Sequence, residues 1–318
     1  MRISETRALP LGYTPRRDYC TRFTRAVNKH FRLQGTFPSI KSARHSIFID
    51  IVYSFPMPTF IDAHAHLASW PDIETCKRNL VQGNDAHHIE TALISHADCS
   101  SFPGERGTSR IISAYDGLQE CLQLAKELPG RFYAAVWIKP LIEPTPSKEL
   151  VDLIHRHIDF IKAIKLHPFC ERISPDDERM ESYYQLAREL SLPILSHTAL
   201  DEHSCIAKLV NAAKKHPDLN FVAAHLELGS DHEYSIRALA EVPNVSVDTA
   251  WVDLYHANKA MDILGEDHVM FGSDSPIDGL ATLDNSLYQE YFHNTLGLWE
   301  GRFRRLMGEN AKNFYRLS

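Results

Sequence analysis

The stretch TFIDAHAHL, Thr59 to Leu67, decides how the rest of the chain is read. It opens as an apolar β run and ends in His64 and His66, whose spacing of two puts both imidazoles on one face of a strand. An open doubly wound sheet would follow its first strand with a glycine-rich phosphate turn. Here histidines stand in that place, and no G-x-G-x-x-G or Walker pattern occurs anywhere in the chain.

Outward from this run, seven further β-rich segments follow: IETALISHA (89–97), RFYAAVWIKP (131–140), FIKAIKLHP (160–168), PILSHTA (193–199), NFVAAHLEL (220–228), NVSVDTAW (244–251) and HVMFGSDSP (268–276). Between them lie helical stretches at 109–129, 178–191 and 204–217, with apolar residues recurring every three or four positions. Nearly continuous apolar strands separated by helices are the pattern of parallel strands buried on both faces. Eight such units predict an α/β fold, a (β/α)₈ barrel, over residues 57–318.

Upstream of Met57 the text changes. Residues 1–56 carry ten Lys and Arg against three acids, while the chain as a whole has a net charge of −7. No periodic element is legible there, so the segment is expected to be a basic extension, either disordered or translated from a start codon upstream of Met57, and it is assigned no chemistry. The acidic body excludes the basic footprint of a nucleic-acid or anionic-membrane protein. No apolar run approaches the roughly 20 residues that span a bilayer. Cys20, Cys76, Cys99, Cys121, Cys170 and Cys205 form no C-x-x-C pair, and scattered cysteines fit a reducing cytoplasm.

In such a barrel the active site sits at the C-terminal ends of the strands. Asp62, His64 and His66 end the first strand, Lys165 and His167 the fourth, His197 the fifth, His225 the sixth and Asp274 the eighth. One histidine in that position is more often a buried, hydrogen-bonded residue than a ligand; the argument rests on the set. His64, His66, His197 and Asp274 together make a nitrogen and oxygen site suited to Zn²⁺, Mn²⁺ or Fe²⁺. Lys165 with His167 bears on a second ion or on substrate. Trp137 and Lys139, His96 and Asp98, and Asp248 and Trp251 are expected to line a substrate pocket. Glu227 and Asp231 are expected to steady His225 or a ligand histidine. His155 and His157 on a helical run do not face each other and make no metal motif.

IDAHAH, KLHP, LSHT, AAHLELG, FGSDSP and the closing LMGENAKNFYRL, in this order, resemble the amidohydrolase-related branch of the amidohydrolase superfamily. The resemblance spans Thr59 to Leu317 and implies that His64, His66, His197 and Asp274 bind metal and that His225 positions or transfers a proton. Binuclear relatives carbamylate a lysine at the end of strand four, which would be Lys165; one ion per chain, Zn²⁺ or Mn²⁺, is the expectation. The function expected is hydrolysis of an amide, ester or lactone bond of a small molecule by water activated on the metal. Non-oxidative decarboxylation of an aromatic or unsaturated acid is the first rival, and a non-catalytic binding barrel the second. A small-molecule substrate and a homodimer are the partners expected, with neither nucleic acid nor membrane.

Overall fold

In the computed structural model, described over residues 59–102 and 110–318, eight strands form one sheet in sequence order. They are β1 (Phe60–Leu67), β2 (Ile89–His96), β3 (Phe132–Trp137), β4 (Ile161–Leu166), β5 (Ile194–Ala199), β6 (Phe221–Leu228), β7 (Val245–Asp248) and β8 (Val269–Met270). Neighbours are parallel throughout. β8 is far shorter than the segment 268–276 suggested, because the chain beyond Met270 bonds to β1 in an irregular way. Ala63 N donates to Phe271 O (2.8 Å), Asp274 N to His64 O (2.7 Å) and His66 N to Ser275 O (2.7 Å), which closes the barrel. The basic leader expected over 1–56 lies outside the described residues.

Helices cover the outside, as the spacing of their apolar residues requires. The helix Ala114–Glu127 buries Leu118, Cys121, Leu122 and Ala125, and Ser113 caps it by accepting from Asp116 N. The expected helix at 178–191 begins with a single tight turn, Glu178–Met180, and continues as Glu181–Leu190. No helix among the described residues is long and apolar enough to cross a membrane. His155 and His157 sit on an outer helix and its C-cap, where His157 Nε2 lies 3.3 Å from Lys126 Nζ.

Inside, the lower barrel is filled by Ile61, Ala63, Leu93, Tyr133, Ala135, Ala163, Leu195, Val222, Ala224 and Met270, and Ala311, Tyr315 and Leu317 from the C-terminus pack against them. On β1 and β6 the alternation that brings these residues inward breaks just before the histidines. Ile61 and Ala63 belong to this inner cluster, whereas Ala65 and Leu67 belong to the outer core between sheet and helices. The β1–β2 register slips between Asp62 and Ala65. Such an irregularity re-aims side chains, and it turns His64 and His66 inward. On β6, Val222 and Ala224 face inward but Leu226 packs outward, and His225, Leu226 and Glu227 all have positive φ (70°, 47° and 67°).

Candidate metal centre

Three donor atoms meet at the upper end of β1. His66 Nε2 lies 2.8 Å from Asp274 Oδ1, and His64 Nε2 lies 3.5 Å from the same oxygen. His66 Nδ1 lies 3.2 Å from the Ser95 carbonyl and 3.0 Å from Ser95 Oγ; the carbonyl can only accept, and the tautomer that donates to it leaves the Nε2 lone pair towards Asp274. Asp274 Oδ2 accepts from Trp251 Nε1 at 3.0 Å, whereas Oδ1 makes no hydrogen bond of ordinary geometry. Converging lone pairs are what a cation site needs, and Lys165 Nζ is the one proton donor among the described residues seen to approach them, at His64 Nε2. His64, His66 and Asp274 form one buried group whose ligand atoms lie within 4.8 Å of one another, and His64, His225 and Asp248 form another. The residues therefore fit a divalent ion with nitrogen and oxygen ligands.

His225 completes the mouth. Its Nδ1 lies 3.1 Å from Ala250 O, so Nε2 is the free acceptor, and its ring centroid is 4.9 Å from His64 and 4.7 Å from His197. His197 stacks on His167 at 3.9 Å with an interplanar angle of 13°, and His167 stacks on Trp137 at 5.4 Å. In this arrangement His197 stands beside the two ligand groups and belongs to neither. Lys165 is fully buried with Nζ 2.8 Å from His64 Nε2, so its ammonium faces an atom of the candidate metal set. His167 lies away from that set, in the stack.

Burial dominates the electrostatics. It pushes the His225 imidazole down to about 4, so the ring is neutral at pH 7. Burial and the Lys165 ammonium both lower His64. For Asp274 burial works the other way, but the close contact with His66 and the neighbouring imidazoles of His225 and His64 outweigh it and hold the carboxyl well below its usual range. Burial pushes Asp62 up to about 7. Asp62 does not face the mouth: its Oδ1 accepts from His64 N (3.0 Å) and Ser273 N (3.0 Å), and its Oδ2 from Ser273 Oγ, which ties β1 to the β8 segment. Strain gathers here too. Trp251 and Asp274 have φ of 60° and 63°, a region that costs of order 1–3 kcal/mol for a residue other than glycine.

Most residues expected along the substrate pocket have other partners. Trp137 Nε1 donates to Glu171 Oε1 (2.9 Å), and Lys139 Nζ donates to Ile112 O (2.9 Å). Asp248 is fully buried beneath His64. Trp251 is half-buried on Asp274. His96 pairs with Glu120 at 2.8 Å, and Asp98 Oδ2 accepts from Ser69 N. Glu227 differs from expectation: its carboxylate caps the outer helix at Ile206 N (3.0 Å) and accepts from Ser235 Oγ (2.8 Å), because left-handed backbone at 225–227 turns it away from the mouth. Asp231 is exposed and accepts from Glu233 N. Sequence reasoning passed over Ser95 and Glu171, the partners of His66 and Trp137, since neither is near its partner in the chain.

A parallel eight-stranded barrel whose C-terminal strand ends carry two groups of residues that could hold a metal ion defines the chain as a (β/α)₈ protein. The amidohydrolase family profile matches residues 61–317, and the chain belongs to that family. No curated protein matches it. Among solved structures it is similar to the 2,6-dihydroxybenzoate decarboxylase of Rhizobium, with 15% identity, a TM-score of 0.61, and 82% of this chain and 99% of that one covered. It is also similar to 5-carboxyvanillate decarboxylase of Novosphingobium aromaticivorans complexed with manganese and 4-hydroxy-3-methoxy-5-nitrobenzoic acid, with 14% identity, a TM-score of 0.57, and 82% and 97% covered. A third, from Acinetobacter baumannii and described as a probable 2-pyrone-4,6-dicarboxylic acid hydrolase, has 13% identity, a TM-score of 0.59, and 81% and 99% covered.

Proposed function

We propose that this chain is a metal-dependent hydrolase that cleaves an amide, ester or lactone bond of a small molecule. The observation that carries the proposal is Asp274 Oδ1, a buried, ionised acceptor set between His66 Nε2 and His64 Nε2. His64, His66 and Asp274 would hold one Zn²⁺ or Mn²⁺, joined by His197 once its ring leaves the stack with His167. An ion there would supply Lewis acidity, lowering the pKa of water toward neutrality and polarising a carbonyl. Asp274 accepts the proton released by the attacking water, for its carboxyl is held ionised while Trp251 fixes its other oxygen. The neutral His225 ring offers Nε2 to the same chemistry as a second acceptor and returns the proton to the leaving group.

Decarboxylation on the same site is the second reading, favoured by the Lys165 ammonium, which faces the metal set and could hold a carboxylate or protonate carbon. The named activities of the two decarboxylases point the same way. Incubating the metal-loaded chain with panels of lactones, esters, amides and aromatic acids separates the readings. Cleavage with uptake of water is the expected result. CO₂ release without it would overturn hydrolysis in favour of the second reading.

A further inference from the structure

Asp248 stands at the end of β7, fully buried, and its two oxygens face two different elements. Oδ2 lies 3.0 Å from His64 Nδ1. Both atoms are buried, and neither makes a hydrogen bond of ordinary geometry to any described residue, so this 3.0 Å contact is the polar neighbour each of them has. Oδ1 accepts from His225 N (3.1 Å) and from Ala250 N (3.1 Å). One carboxylate thus touches the ring of a metal-set histidine on β1 and the backbone of the proton-handling histidine on β6. Gly272 locks the contact from the far side: a Cβ there would sit 3.1 Å from the Cβ atoms of both Asp248 and His64.

We infer that Asp248 is a positioning residue for the metal site, holding the proton of His64 on Nδ1 so that Nε2 presents its lone pair to the ion. The inference rests on the metal reading above. Its chemistry is that of a carboxylate, which is acceptor-only on both oxygens. His64 Nδ1 opposite Oδ2 must then be the donor, and a neutral imidazole with its proton on Nδ1 is a ligand through Nε2. The other oxygen meets only N–H donors, so the role needs two acceptors at once. An amide in the same place has one acceptor and one donor. If Asn keeps its carbonyl on the two backbone N–H groups, its NH₂ faces Nδ1, which becomes the acceptor, and the proton moves to Nε2, where it blocks ligation. If Asn turns round, two buried N–H groups lose their partner and the left-handed turn at His225 loosens.

The test is metal binding by the full chain, with Zn²⁺ and Mn²⁺ titrated against a chromophoric chelator and folding followed by circular dichroism. Asp248→Asn is expected to weaken the affinity about 10–100-fold, the usual cost of removing an outer partner of a ligand histidine, with the same number of ions bound at saturation. Gly272→Ala, whose Cβ would press on the Cβ atoms of both residues and on the carboxyl carbon of Asp248 at 3.3 Å, is expected to weaken it in the same direction. Should the variants not fold, long-range ¹H–¹⁵N spectra of the [¹⁵N]histidine-labelled, Zn²⁺-loaded native chain are expected to show His64 protonated on Nδ1, the signal being assigned by its loss in His64→Gln. Unchanged affinity in folded Asp248→Asn, or a His64 proton on Nε2, overturns the inference and leaves the metal reading standing. Loss of a whole equivalent at saturation also overturns it, since Asp248 would then be a ligand in its own right. No metal uptake by the native chain overturns the metal reading itself.

Discussion

The lower and upper halves of the barrel interior are built from the same eight strands and do opposite things. Below, Ile61, Leu93, Ala163, Leu195, Val222 and Met270 fill the space with apolar side chains. Above, His64, His66, Lys165, His197, His225, Asp248 and Asp274 are almost equally buried and all titratable. Burying such groups is costly unless each has a partner, so the stability of the domain has to come from the lower layers and the outer core. The boundary is local. It falls between Ala63 and His64 on β1 and between Ala224 and His225 on β6, where alternation fails and the backbone turns irregular or left-handed. The lesson is that the function of this barrel begins where its strand geometry stops being regular.

That contrast can be broken in either half. Leu195→Ala removes a buried side chain from the lower layer and is expected to cost about 2–5 kcal/mol in chemical denaturation while leaving Zn²⁺ affinity unchanged. A loss of affinity comparable to the loss of stability would show that the halves are not separable. His66→Ala does the reverse: Zn²⁺ binding falls by more than about 100-fold, or more than about 2.7 kcal/mol, with the metal-free fold as stable as the parent within about 1 kcal/mol. Chelator competition and thermal melting of the metal-free chain measure the two quantities.

Two smaller effects sharpen the boundary. Glu227 is adjacent to the mouth in sequence but serves an outer helix, so Glu227→Ala should cost about 0.5–2 kcal/mol as a lost cap and leave metal affinity untouched. Weakened metal binding would return Glu227 to the mouth. Glu120 gives the smallest effect. The hydrogen bond from His96, helped by Arg110, holds its carboxyl down to about 2, below its ordinary value of 4.5. A depressed carboxyl stabilises the fold above its unfolded pKa, and that contribution fades as pH falls from about 4.5 toward about 2. The site is partly exposed, so the amount is under about 1 kcal/mol. The difference in denaturation midpoint between parent and Glu120→Gln should therefore shrink between pH 6 and pH 3; a constant difference would contradict the assignment.

The fold was legible because the periods were. Eight apolar runs and the helices between them appear within a few residues of their expected places, except that β8 is cut to Val269–Met270 where its bonds to β1 become irregular. In the site, the spacing of His64 and His66 and the position of Asp274 after the last strand could be read directly, since each depends only on local chain geometry. Asp62 could not. It shares the spacing of the two histidines, yet the slip in register before Ala65 gives it to Ser273 instead. The contacts of Asp248 with His64, of Ser95 with His66 and of Glu171 with Trp137 each join different strands or loops, and nothing in one strand's sequence announces its partner on another. Nor does sequence reveal that His197 stacks on His167, because a ring's rotamer is set by its neighbours in space.

The central claim is that the upper barrel, through His64, His66 and Asp274, holds a catalytic divalent ion. Elemental analysis of the full chain, purified and dialysed without chelator, tests it most directly. The account predicts about one equivalent of zinc or manganese per chain, lost in His66→Ala. No bound metal, even after Zn²⁺ and Mn²⁺ are added back to the folded protein, would contradict it.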